Sequence, residues 1–203
     1  ISAPFFAFFI SQISWVIYPF YPSLTLVDIN YGVLYVMCAS SISVYGVILA
    51  GWASNSKYAF LGALRSTAQM ISYELTIGMI LCTIASASGS FNLIDIVEDQ
   101  ASGVWYIFPF FPLFGVYLIC MVAETNRHPF DLPEAEAELV SGYNTEYSGM
   151  MFALFSLGEY AHIYFASSLA VALFLGGSSS PIGGDCLLVN SFFYAVKLNL
   201  FII

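Results

Sequence analysis

Charge is what this sequence has least of. Only 8% of its 203 residues are Asp, Glu, Lys or Arg, while 60% are hydrophobic. A soluble domain carries roughly 25% charged residues, so a water-facing fold is excluded and the chain reads as an integral membrane protein. Basic residues are scarcer still. Lys57, Arg65, Arg127 and Lys197 are the whole set, and the net charge is −9. That balance excludes nucleic-acid binding, which needs a basic face. Cys38, Cys82, Cys120 and Cys186 lie in or beside apolar segments, and no two have metal-ligand spacing. The two histidines, His128 and His162, lack the spaced pairing of a haem-binding bundle, so no metal or haem is expected in the chain. The sequence opens on Ile1 and runs straight into apolar residues, with no basic leader and no cleavage site before them. The expectation is a fragment or one piece of a longer architecture.

Long apolar runs are what is there. A membrane helix needs about 20 predominantly apolar residues. Such spans are predicted near 1–21, 31–52, 58–87, 104–123, 149–175 and 187–203, in a single membrane domain covering 1–203. The predicted fold is therefore an all-α integral membrane protein of about six transmembrane helices. Pro109 and Pro112 are expected to kink the fourth. Residues 86–104 read as a polar connector, and 176–185 as a Gly/Ser-rich turn. If the spans alternate, the connectors holding Lys57, Arg65 and Arg127 share one side. Those holding Asp28, Asp95, Glu98, Asp99 and Asp185 share the other. The positive-inside tendency puts the first group on the cytoplasmic or matrix side.

That side also carries the densest polar stretch, ETNRHPFDLPEAEAELVSGYNTEY, from Glu124 to Tyr147. It holds Glu124, Asp131, Glu134, Glu136, Glu138 and Glu146 against the single Arg127. Asp131-Leu132-Pro133-Glu134 is a helix-start signature, with a capping residue, a proline in the first turn and an acid three positions after the cap. A short acidic helix is predicted to about Val140, in the loop between the fourth and fifth spans. On it Glu134 and Glu138 share a face. Neighbouring like charges and partial burial both push carboxylates toward neutrality, and a carboxylate so shifted takes up and releases protons near pH 7. Phe130, Leu132, Leu139, Val140 and Tyr143 interleave these acids, which favours a segment folded back on the bundle over a solvated loop.

Two acids lie inside spans, Glu74 in the third and Glu159 in the fifth. A carboxylate there costs about 2.5–3.5 kcal/mol on insertion scales and usually lines an aqueous path or a proton relay. With Glu124, Asp131, Glu134, Glu136 and Glu146 they are read as one hydrated path. A simpler role for Glu74 is to pair with Arg65 or Lys57. For His162, a structural polar role and a relay role are both open, as are a structural and a functional role for Lys197.

These residues carry a resemblance. Ala123 to Tyr147, together with GWASNSKYAFLGALRSTAQMISYE (51–74), SGSFNL (88–93) and FALFSLGEYAHI (152–163), resembles subunit 1 of proton-pumping NADH:ubiquinone oxidoreductase, respiratory complex I. The motifs cover most of the chain in the family's order. The resemblance implies a subunit of eight membrane helices where the membrane arm meets the peripheral arm, forming much of the ubiquinone chamber. It implies a quinone-side loop containing Arg127, Phe130, Asp131, Glu134, Glu136 and Glu138, with Phe130 lining the quinone cavity and Arg65 supporting the loops. It implies an acidic proton path through Glu74, Glu124, Glu146 and Glu159, and less directly Asp28.

Ubiquinone is then substrate. Iron–sulfur clusters and FMN belong to partner subunits, and none is bound by this chain. The implied partners are the hydrophilic quinone-binding and iron–sulfur subunits, neighbouring membrane-arm subunits and lipid. The implied location is the mitochondrial inner membrane, or alternatively a bacterial plasma membrane. The sequence departs from the family in lacking its first helix and in stopping inside the seventh, so the expectation is either a fragment or a split subunit whose missing helices another chain supplies. His128 replaces a residue that is more often small or aliphatic. Two other readings compete: the membrane component of a related hydrogenase complex, and a carboxylate-based secondary transporter. The transporter should show inverted halves with matched broken helices, and the sequence shows no such symmetry.

Overall fold

A computed structural model of the chain describes residues 2–21, 25–130, 147–179 and 187–202. Among these the architecture is all-helical, the fold class read from composition. Helix α1 (Ser2–Ile13) continues into a 3-10 turn (Ser14–Ile17). It is followed by α2 (Gly32–Ala53), α3 (Lys57–Ser88), α4 (Leu93–Ser102), α5 (Phe111–Glu124), α6 (Met150–Phe174) and α7 (Leu187–Ile202). Helices α2, α3 and α6 are long and apolar enough to cross a membrane, and Ser2–Ile17, Phe111–Glu124 and Val189–Ile202 are shorter apolar helices. The outer faces suit hydrocarbon. Phe9, Leu75, Met79, Phe111, Leu157 and Leu200 all stand more than half exposed, a density of apolar surface that water does not tolerate.

Two features differ from the sequence reading. The polar connector over 86–104 contains a helix of its own, α4. Asn92 caps it, its Oδ1 accepting the Ile94 N–H at 3.0 Å, and Asp95 sits in the first turn, where the helix dipole favours an acid. The helix buries Leu93, Ile96, Val97 and Gln100. The fourth apolar stretch is helical only from Phe111. Pro112 falls in the first turn of α5, where its missing N–H leaves no bond unmade, so it begins the helix rather than kinking it. The turn before α5 is tied down by the Ile107 N–H, which donates to the Phe174 carbonyl at 3.1 Å.

Helices α2 and α3 form an antiparallel hairpin, α1 packs on α2 and α6, and α3 packs on α5. Small residues set the spacing, as in membrane bundles generally. A Cβ at Gly51 of α2 would lie 2.3 Å from the Ala63 Cβ and 3.2 Å from the Ala59 carbonyl oxygen of α3. The main core joins Ile17, Tyr18, Val33, Ile80, Leu81, Ile84, Leu93, Ile96, Tyr117, Leu173 and Phe174.

The two ends of the bundle are distinct. At one, Asn92 Nδ2 donates to Asp28 Oδ1 at 2.7 Å, joining the α1–α2 and α3–α4 connectors. At the other, Asn126 Nδ2 donates to Ser66 Oγ at 3.0 Å and the Tyr147 hydroxyl donates to the Ala50 carbonyl at 3.0 Å. Lys57 and Arg127 belong to the second end. The short acidic helix expected beyond Phe130 lies outside the described residues.

Candidate functional site

Helix α5 ends in a way that builds the site. Asn126 adopts a left-handed conformation, with φ 51°. The Arg127 N–H reaches back to the Val122 carbonyl at 3.2 Å and the Asn126 N–H to the Ala123 carbonyl at 3.4 Å. This is the Schellman pattern with asparagine as the left-handed residue, a role second only to glycine's. It turns the chain sharply after Glu124. Gln69 on α3 then clamps the turn. Its Nε2 donates to the Ala123 carbonyl at 2.7 Å and to the Phe130 carbonyl at 2.9 Å. Two carbonyl acceptors fix which end of the amide is nitrogen, so Gln69 Oε1 is left buried with no hydrogen-bond partner among the described residues. Phe130 packs edge-on against Tyr73, with centroids 5.9 Å apart.

Beneath the turn lies a cavity of about 300 Å³. Its polar wall includes Glu124, Arg127, His128, Glu159, His162 and the hydroxyls of Ser11 and Ser43, and its apolar wall includes Phe152, Phe155 and Met70. Glu124 lies deep, 8% exposed, whereas Glu159 is at the open side. His162 Nε2 stands 3.6 Å from Glu124 Oε1. The Arg127 guanidinium sits over the Tyr160 ring, 5.1 Å from its centroid. Tyr147 closes one flank by packing on Phe155. Burial pushes its hydroxyl above the ordinary tyrosine range, so it stays a neutral donor to Ala50.

Glu74 is not part of that wall. It accepts hydrogen bonds from Ser40 and Ser41 of α2, the former at 3.1 Å. Ser43 and Met70 line the cavity, and Glu74 lies four residues beyond Met70 as Ser40 lies three before Ser43. The carboxylate is therefore about one helical turn, or roughly 5.4 Å of rise, past the cavity. It is satisfied by hydroxyls of α2. Arg65 lies on the exposed side of α3. Asp28 sits at the opposite end of the bundle, bonded to Asn92. Asp131, Glu134, Glu136, Glu138 and Glu146 lie outside the described residues.

The opposite end carries a polar cluster of another kind. Gln100, 1% exposed, donates to the Ile96 and Ala172 carbonyls at 3.1 and 3.0 Å, and its Oε1 accepts from the Gly176 N–H at 3.0 Å and the Tyr106 N–H at 3.4 Å. Lys197 Nζ donates to the carbonyls of Leu175, Gly177 and Ser179 at 2.8, 3.1 and 2.8 Å, with the Trp105 ring 4.8 Å away. A cation at the carbonyl end of α6 complements the helix dipole. The structure thus gives Lys197 a capping role. Sequence reasoning missed Gln69, Ser40 and Ser41 as members of the polar system. A glutamine inside an apolar span was the available signal for the first.

A multi-pass helical membrane protein with two carboxylates, two histidines and an arginine gathered in one cavity is the class that this fold and site define. The family is equally clear. The family model for NADH dehydrogenase matches residues 1–203, and the chain belongs to that family. It is 56% identical to an NADH-quinone oxidoreductase subunit of Rhodospirillum rubrum over 90% of this chain and 54% of that protein. It is 55% identical to the NADH-ubiquinone oxidoreductase chain 1 of Chondrus crispus over 89% of this chain and 55% of that one. An NADH-quinone oxidoreductase subunit of Rickettsia canadensis is 51% identical over 98% of this chain and 60% of its own length. The chain spans about half the length of the relatives it matches.

Proposed function

We propose that the chain is a membrane subunit of a respiratory NADH:quinone oxidoreductase, forming part of the ubiquinone chamber and of the acidic path that couples quinone reduction to proton translocation. The cavity between α5 and α6 carries this reading. It brings ionisable side chains of both signs together at the end of the bundle where the loop motif begins, beside aromatic rings able to pack on a quinone.

In this reading the chain performs no catalysis alone. Hydrophilic partner subunits would hold the iron–sulfur clusters and FMN, which would supply the electrons for quinone reduction. The ionisable groups of the cavity act on protons. Quinone reduction consumes protons and changes the charge at the chamber. Arg127, Phe130 and the acids of the loop beyond it respond first, and Glu124, Glu159 and Glu74 pass that response inward. A coupling of a few kcal/mol between quinone state and carboxylate protonation is enough for a switch. The membrane is then the mitochondrial inner membrane or a bacterial plasma membrane, the compartments of an electron-transport chain.

The test is made in the intact complex. Glu74→Gln and Glu134→Gln should each impair quinone-linked NADH oxidation and proton pumping, while NADH oxidation by an artificial acceptor persists. Full quinone-linked turnover and pumping in both variants would refute the assignment.

A further inference from the structure

One cavity group has no part in the path as stated. His162 faces inward from α6, its Nε2 3.6 Å from Glu124 Oε1, with the two side chains 17% and 10% exposed. That nitrogen has no hydrogen-bond partner among the described residues. The separation exceeds an N–H···O bond of about 2.7–3.2 Å yet lies within ion-pair reach. A shift of under an ångström closes it, and a polar cavity of this size also has room for a bridging water.

Glu124 is the last residue of α5, where the helix dipole concentrates negative partial charge that a neighbouring cation complements. The cavity supplies Arg127 and His128 from the loop after α5, and Glu159 and His162 from α6. From α1, α2 and α3 it receives only neutral groups, among them Ser11, Ser43 and Met70. Arg127 is turned over the Tyr160 ring, whereas the His162 imidazole meets the Glu124 carboxylate.

We propose that His162 is the proton-sharing partner of Glu124, a positioning residue that sets when Glu124 is ionised. This rests on reading the cavity as a proton path. In the transfer the Nε2–H bond of the imidazolium breaks and an O–H bond forms on Glu124, directly or through one water. The products are a neutral imidazole and a neutral carboxylic acid, and no electron moves. The pair therefore stores one proton where a lone carboxylate would have to draw it from the surface.

His162→Asn and His162→Gln in the intact complex keep a polar side chain but remove the titration. The rate of quinone-linked NADH oxidation, normalised to oxidation by an artificial acceptor, is measured against pH. A cation within about 4–6 Å favours the charged carboxylate by 1–3 pH units, so losing it should move the acidic limb to higher pH by about one unit in both variants. A wild-type acidic limb in both overturns the pairing. Glu124→Gln separates the two ideas. If it abolishes quinone-linked turnover while the His162 variants keep the wild-type limb, only the pairing fails. If it leaves turnover intact, the proton-path reading fails as well. Should neither His162 variant assemble, infrared spectra of the wild type and Glu124→Gln decide. Loss of an imidazolium signal in Glu124→Gln supports the pair, and an unchanged signal overturns it.

Discussion

Two buried glutamines sit at opposite ends of the same bundle and are treated differently. Gln100 uses its full amide, donating twice and accepting twice. Gln69 donates twice but leaves its carbonyl oxygen unmatched among the described residues. Around Gln100 the polar groups are close to saturated, and Lys197 caps three carbonyls beside it. Beneath the turn that Gln69 clamps, the cavity is lined by His162, whose Nε2 has no hydrogen-bond partner among the described residues, and by Asn126, whose Oδ1 is in the same condition. A saturated buried network rigidifies a fold, whereas a buried polar group without a protein partner is one that water or an ion can engage. Polar groups inside this bundle thus seal one end and leave unmatched hydrogen-bonding capacity beside a cavity at the other.

The largest expected effect tests the sealed end. Gln100→Leu removes the acceptor of two buried N–H groups and the donor to the Ala172 carbonyl, and each group left unpaired costs about 1–3 kcal/mol. The protein should lose about 4 kcal/mol, measured as loss of assembled complex and a lower midpoint of thermal inactivation. Turnover per assembled complex should stay near normal. Glu124→Gln should do the reverse, cutting quinone-linked turnover at least tenfold, about 1.4 kcal/mol in barrier, with assembly preserved. If both variants fail in the same assay, the distinction between the two ends breaks.

Gly51→Ala probes the packing that brings α2 against α3. The added methyl meets Ala63 and a backbone carbonyl rather than a flexible side chain, and overpacking of this kind costs typically about 1–3 kcal/mol. Assembly should fall, with any loss of turnover secondary to it. Smallest of all, Tyr147→Phe removes one hydrogen bond to Ala50, worth about 1 kcal/mol. A modest drop in thermal midpoint with little change in turnover is expected. A large loss of turnover would instead place Tyr147 among the responsive groups.

Much of the fold is legible in the chain because hydrocarbon imposes length and apolarity on each span. The helices α2, α3 and α6 stand within a residue or so of the runs at 31–52, 58–87 and 149–175. The differences share a cause. Helix α4 is short and half polar, so its apolar face, Leu93, Ile96 and Val97, is outweighed in composition by Asp95, Glu98 and Asp99, although the Asn92 cap marks its start. The fourth apolar stretch begins near Val104 but its helix does not, because apolar content does not reveal which residues are helical. There Pro112 is the informative residue, and its meaning depends on whether it falls inside a helix or opens one.

For the site, the residue types are apparent before any coordinates and their grouping is not. Carboxylates are rare enough in this chain that Glu74, Glu124 and Glu159 stand out by composition alone, since each must offset its desolvation somehow. How each does so depends on neighbours distant in sequence. Glu124 meets His162 across the α5–α6 contact, Glu74 is held by two serines of α2, and Lys197 spends its charge on the carbonyl end of α6. Hydropathy and charge are properties of single residues, so a membrane-spanning helical chain with costly acids at one end is readable before any folding is considered. Which of those acids share a cavity depends on the folded bundle, because hydrogen bonds and ion pairs act over a few ångströms between side chains that the chain order leaves far apart.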